Sequence, residues 1–243
     1  MFPESTINEA LTVAVQLGVV AALGGAGALA FRKSFRATWF VGGLVLYSLY
    51  DFLLTRGFYL LPDPFPEASW NWAGKLMSLV GVLAICALPA IGWRRAGITM
   101  RQGKGWIAAA VVLALLGGLF FYLAISNPDG RDDWETIAFQ WTMPGLDEEI
   151  FYRGLFLLAM NEAFSARARI LGAPIGYGGM LATVLFGLAH GLAYDKSGLS
   201  FDAMTFALTG GPALILLWLK ERTGSVLMPI IGHNIANGAS TLF

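Results

Sequence analysis

Charge is what this sequence has least of. Lys, Arg, Asp and Glu together make up 13% of 243 residues, against about 25% in a soluble domain. The shortage runs the length of the chain, which excludes an ordinary water-facing surface. The two signs cancel to a formal net charge of zero, so there is no basic field to hold nucleic acid. Cys86 is the single cysteine, which excludes an internal disulfide framework. Neither a GxSxG nucleophile elbow nor an HExxH zinc helix is present, and we find no internal repeat or low-complexity tract. Met-Phe-Pro-Glu lacks the basic region of a cleaved signal peptide, so the first apolar run reads as a retained span.

What is abundant is apolar: 56% of residues are hydrophobic and the mean hydropathy is +0.63. A helix needs about 20 apolar residues to cross a bilayer. Suitable runs cover residues 8–31, 37–60, 70–93, 106–126, 145–164, 174–193, 203–219 and 225–243. They are continuous rather than alternating, which argues for helices over barrel strands. The expectation is an all-α, polytopic membrane bundle of about eight transmembrane helices. It forms one domain over 1–243, with a catalytic core at 145–243. Residues 132–142 read as one interfacial helix with Trp134, Ile137 and Trp141 towards lipid.

Loop charge alternates. Arg32, Lys33 and Arg36, then Arg94, Arg95, Arg101 and Lys104, then Arg167 and Arg169, then Lys220 and Arg222 follow every second span. The intervening loops carry acids such as Asp63, Glu67, Asp129, Asp132, Asp133, Asp195 and Asp202. Basic loops face the cytoplasm, so both termini are expected on the other side.

Ionisable groups inside a membrane segment are costly and point to function. Three late segments carry them at helical spacing. In "EEIFYR", Glu149 and Arg153 are four apart and share an α-helical face. Glu148 is turned about 100° away, free to bind and deprotonate a water. The bland reading is acidic decoration of a helix start after Pro144-Gly145, which Arg153 weakens. "FGLAH" puts Phe186 and His190 on one face. "HNIAN" does the same for His233 and Asn237, with Asn234 pointing elsewhere. In span 2, Asp51 and Arg56 read as an interfacial ion pair. A glutamate, two histidines and an amide suit hydrolysis, with one group activating water and others donating to an oxyanion. Glu148, His190 and His233 would also make a zinc site with an open position.

The ordered set EExxxR, FxxxH and HxxxN, over residues 148–237, resembles the CPBP family (CAAX proteases and bacteriocin-processing enzymes), which includes the type II CAAX prenyl proteases. The resemblance implies an intramembrane endopeptidase of glutamic type. On it, Glu148 is the general base, His190 helps bind the attacking water, and His233 with Asn237 forms the oxyanion hole. Glu149, Arg153 and Phe186 are structural. It also implies a peptide or membrane-anchored protein substrate in a prokaryotic plasma membrane, and no firm cofactor. Two rival classes remain, a transporter and a non-catalytic membrane partner or immunity protein. One tension stands out. Glu148 opens span 5 and His190 ends span 6, near the acidic face, whereas His233 lies about 16 Å in from Arg222 at 1.5 Å per residue.

Overall fold

The computed structural model describes residues 4–243. Helices α1 (Glu4–Ala30) and α2 (Ala37–Thr55) form a hairpin, and α3 (Trp72–Ala87) and α4 (Trp106–Ser126) follow. The short α5 (Trp134–Gln140) leads into a π-helix, Gly145–Phe156, which continues as α6 (Leu157–Ala163). A hairpin of β1 (Arg167–Ile170) and β2 (Ala173–Gly176) precedes α7 (Tyr177–Gly191). A second, β3 (Leu192–Asp195) and β4 (Gly198–Phe201), precedes α8 (Ala203–Thr223) and α9 (Leu227–Gly238).

Apolar side chains face outwards as well as inwards. Val41, Val45, Leu49 and Phe52 are exposed along α2, as are Ile107, Val111, Leu115 and Leu119 along α4. Each set repeats about every four residues, a lipid-facing stripe. The interior is held by Phe151, Leu155, Phe156, Leu157, Met160, Leu181 and Leu185, all essentially fully buried. Among the described residues four helices are long and apolar enough to cross a membrane: Thr6–Ala30, Ala37–Thr55, Trp106–Ser126 and Ala203–Thr223.

The other four expected spans are helical but shorter. α3 has 16 residues, α7 has 15 and α9 has 12, and the fifth run is split between the π-helix and α6. By length and composition the described residues therefore show four candidate membrane-spanning helices, and this criterion does not establish the expected count of about eight. The physical reason is shielding. Much of the π-helix, α6 and α7 is covered by other helices, so these segments are apolar through burial in protein and need not match lipid thickness.

The two hairpins were not expected. β1 and β2 are joined by Leu171 at φ 48° and Gly172 at φ 84°, the two positive angles that match a tight turn to strand twist. The interfacial helix is shorter than 132–142, and its faces differ from expectation. Trp134 is 73% exposed, but Ile137 is buried and Trp141 packs against Gly238. α5 docks on α9, so those two side chains point into the bundle rather than towards lipid.

The basic connections meet on one face. Arg36 and Arg95 pair with Glu162 at 3.1 and 2.9 Å. Thr223 O accepts from Gly103 N at 2.7 Å, and Gly97 O from Val226 N at 3.0 Å. On the opposite face Glu135 accepts from Ser69 N and Trp70 N at 2.9 and 3.2 Å, and Asp132 N donates to Thr241 O at 3.0 Å. The backbone donors, Ser69 first, hold the Glu135 carboxyl below its ordinary range.

α7 packs most extensively on α8 and also on α6. Small residues let helices approach closely where apolar burial gives no net drive. A Cβ on Gly178 would fall 2.3 Å from Met160 O, whereas one on Gly118 meets nothing within 4 Å. Gly178→Ala is therefore expected to destabilise by about 1–3 kcal/mol through overpacking. Gly118→Ala is expected to be neutral or slightly stabilising, and thermal unfolding in detergent distinguishes the two.

Candidate active site

The site begins with the irregular helix. Its i→i+5 hydrogen bonds form a wider turn than an α-helix, a rare form found frequently at functional sites. Its start is pinned by Asn234, whose Oδ1 accepts from Gly145 N at 2.8 Å. A Cβ at Gly145 would lie 2.5 Å from that oxygen and 2.6 Å from Ile230 O, so only glycine allows α9 so close. This contact resolves the depth mismatch in the sequence, because it draws the start of the π-helix down beside His233. Asn234, read from the sequence as pointing elsewhere, is the residue that makes the contact.

The three consecutive acids take different partners. Asp147 is fully buried, bound by Tyr50 Oη and Ser78 Oγ at 2.6 Å each and by Lys75 Nζ at 3.2 Å. Glu148 Oε1 accepts from the same Lys75 Nζ at 2.6 Å. Glu149 Oε1 accepts from Arg153 at 3.0 Å and from His233 Nδ1 at 2.7 Å.

Several sequence readings, the bland one of Asp147 among them, are revised here. Asp147 does not decorate a helix start but is sealed in a network. Glu148 is not free, because Lys75 holds one of its oxygens. The expected α-helical face separating Glu148 from Glu149 is replaced by π-helical turns that send the two towards different partners. Asp51 and Arg56, expected to pair, line adjoining polar cavities at the end of α2, each shared with Glu9.

Glu148 Oε2 is buried, with no hydrogen-bond partner among the described residues. His190 Nε2 and His233 Nε2 each lie 3.9 Å from it. Both rings are oriented from behind. His190 Nδ1 lies 2.8 Å from Phe186 O, an oxygen that only accepts, so this nitrogen carries the proton. His233 Nδ1 donates to Glu149 in the same way. Phe186 wedges the set, with Arg153 4.3 Å over its ring and the His190 and His233 rings at 4.6 and 5.9 Å.

Glu148, His190, His233 and Asn237 line one cavity of about 270 Å³, closed by Phe120 on α4 and by Pro212 and Leu216 on α8. The structure thus brings together all four residues singled out as catalytic candidates, with Glu149, Arg153 and Phe186 packed behind them. Sequence reasoning missed Lys75, Asp147, Tyr50, Ser78 and Asn234. A signal for Lys75 existed. It is a lone cation in the apolar run 70–93, and an ionisable group there merits the same attention as Arg153.

Zinc does not fit this donor set. Among the described residues no group of three or more His, Cys, Asp or Glu is arranged to hold a metal. An ammonium at 2.6 Å already neutralises the one carboxylate that would face the ion.

Residues 130–239 match the family model described as type II CAAX prenyl endopeptidase Rce1-like. This segment is similar to that family, in keeping with the CPBP resemblance of its motifs, and it contains every candidate but Lys75 and its neighbours. Comparison with curated proteins and with solved structures gave no match.

Removing one partner from a buried ion cluster strands the others, at a cost of about 3–5 kcal/mol. Lys75→Met is expected to lose stability on that scale, because Asp147 and Glu148 then face each other uncompensated. Lys75→Met combined with Asp147→Asn should recover part of the loss. A double-mutant cycle on thermal unfolding measures the coupling, and strict additivity would contradict the shared ammonium.

Proposed function

We propose that the protein is an intramembrane endopeptidase that hydrolyses a peptide bond of a membrane-associated peptide or protein with a glutamate-activated, metal-free water. The observation that carries this reading is Glu148 Oε2, unpartnered among the described residues and 3.9 Å from two imidazole nitrogens. One water bridges such a gap with ordinary hydrogen bonds of about 2.8 Å.

The donor pattern orients that water. Lys75 fixes Oε1, so Oε2 is the base. His190 has its proton on Nδ1, which leaves the Nε2 lone pair facing the site. A water donating one hydrogen to Glu148 and the other to His190 turns an oxygen lone pair outwards, towards a carbonyl carbon. Attack moves the water proton onto Glu148 while the carbonyl becomes an oxyanion. The Asn237 amide N–H donates to that oxygen. His233 adds a second donor when its ring is protonated on both nitrogens, an ion that Glu149 neutralises at 2.7 Å. Glu148 then passes its proton to the leaving nitrogen as the C–N bond breaks, and the base is restored. Preorganised donors at a developing oxyanion are worth most in such a dry setting.

Leu208, 67% exposed, stands at the lip of the cavity on α8, which supports entry of the substrate from lipid. Glu148, His190 and the acidic loops lie towards one end of the bundle. By the positive-inside rule that end is non-cytoplasmic. The reading is therefore a prokaryotic plasma-membrane enzyme with both termini outside, acting on exported substrates. No feature favours a transporter or a non-catalytic partner.

Glu148→Gln, His190→Ala and His233→Ala are each expected to abolish cleavage in folded protein, scored by comparing the terminal peptides of proteomes from cells carrying wild-type or variant protein. Asn237→Ala should slow cleavage about 10²–10³-fold, the effect of one lost oxyanion donor. Chelators should leave activity intact. Unchanged termini with Glu148→Gln would remove the enzyme reading, and inactivation by a chelator would remove the metal-free mechanism.

A further inference from the structure

Glu148 and His190 form a partition between two cavities. On one side is the cleft already described. On the other is a chamber of about 200 Å³ between α1, α2 and α7, lined by Thr12, Gln16, Tyr47, Asp51 and Ala189 among others, and again by Glu148 and His190. A third cavity, of about 490 Å³, shares Glu9 and Thr55 with this chamber and continues under the loop that carries Asp63, Pro66 and Trp70. The three spaces are joined end to end through shared residues, from the acidic-loop face to the catalytic carboxylate.

Their chemistry differs. The cleft beyond Glu148 is walled by Phe120, Leu208, Pro212 and Leu216, and Leu208 faces lipid. The chamber on the near side presents hydroxyls, an amide and carboxyls. At its throat Asp51 and Glu9 both line the wall. A volume of about 200 Å³ is several times the roughly 30 Å³ that a water occupies in the liquid, and the polar walls supply the partners that buried water requires.

We propose that the two reactants reach Glu148 from opposite sides. The peptide enters from lipid through the α4–α8 cleft, and water enters through the α1–α2 chamber, past the Glu9–Asp51 throat. The first half of the chain, outside the family-matched segment, then supplies the water route. This rests on the protease reading for the use made of the water, but the route itself is tested without activity.

In a Cys86→Ser background, Ala189→Cys sits inside the chamber and Leu208→Cys on the lipid side. With the protein in sealed vesicles and the acidic-loop face outward, the membrane-impermeant cation MTSET is added. Ala189→Cys is expected to react about ten times faster than Leu208→Cys or more, because the thiolate is the reactive form and needs a wet setting. A lipophilic maleimide should reach Leu208→Cys. Ala189→Cys unreactive towards MTSET, in protein that reacts when unfolded, would show that the chamber is closed and overturn the route. Thr55→Cys provides the second arm. Attaching a bulky methanethiosulfonate there should lower kcat several-fold with KM unchanged. Unchanged kcat after complete modification would overturn the supply role even with a wet chamber. If wild type cleaves nothing, the protease reading fails while the labelling arm still reports on the route.

Discussion

One ammonium group organises the interior. Lys75 Nζ reaches Asp147 and Glu148 at 3.2 and 2.6 Å where neither acid has much water. In a low-dielectric interior a lone charge is far costlier than one in a hydrogen-bonded cluster. The lysine, Asp147, Tyr50 and Ser78 therefore need one another, and this ties α2 and α3 to the start of the π-helix. Glu149 does the same further along, held between Arg153 and His233. Among the described residues the clusters leave Glu148 Oε2 and Glu149 Oε2 without hydrogen-bond partners, and Glu148 Oε2 lies 3.9 Å from both imidazoles.

The three motifs were legible in the sequence because they are polar letters in an apolar text, at spacings that a helix stacks. Eight helical segments were legible as well, since hydropathy reads burial. It does not tell burial in lipid from burial in protein, which is why α7 and α9 looked like spans although they are only 15 and 12 residues long. The hairpins escaped notice because a four-residue strand has no pattern of its own. Each hairpin offers as cue a single glycine of positive φ, Gly172 in the first and Gly198 in the second.

The partners of the motifs were the least legible part. Asp147 looked like a favourable charge at a helix start, a role that needs no tertiary contact. Its real partners, Tyr50 and Ser78, are 97 and 69 residues away, and nothing local signals them. Asn234 was read by helix face alone. Its contact with Gly145 depends on how closely two backbones approach, a distance set by the missing Cβ rather than by periodicity.

The π-helix also sets the phase of the site. Each of its bonds skips one residue more than an α-helical bond does, so the stretch holds surplus chain relative to an ordinary helix of the same height. Taking out one residue after the acids would swing them by about 100° relative to the chain that follows, away from the imidazoles, with no reactive side chain altered. Reading frame along the helix, as much as chemical identity, is therefore part of the machinery. Homologues that exchange letters freely in Gly145–Phe156 would still have to conserve its count.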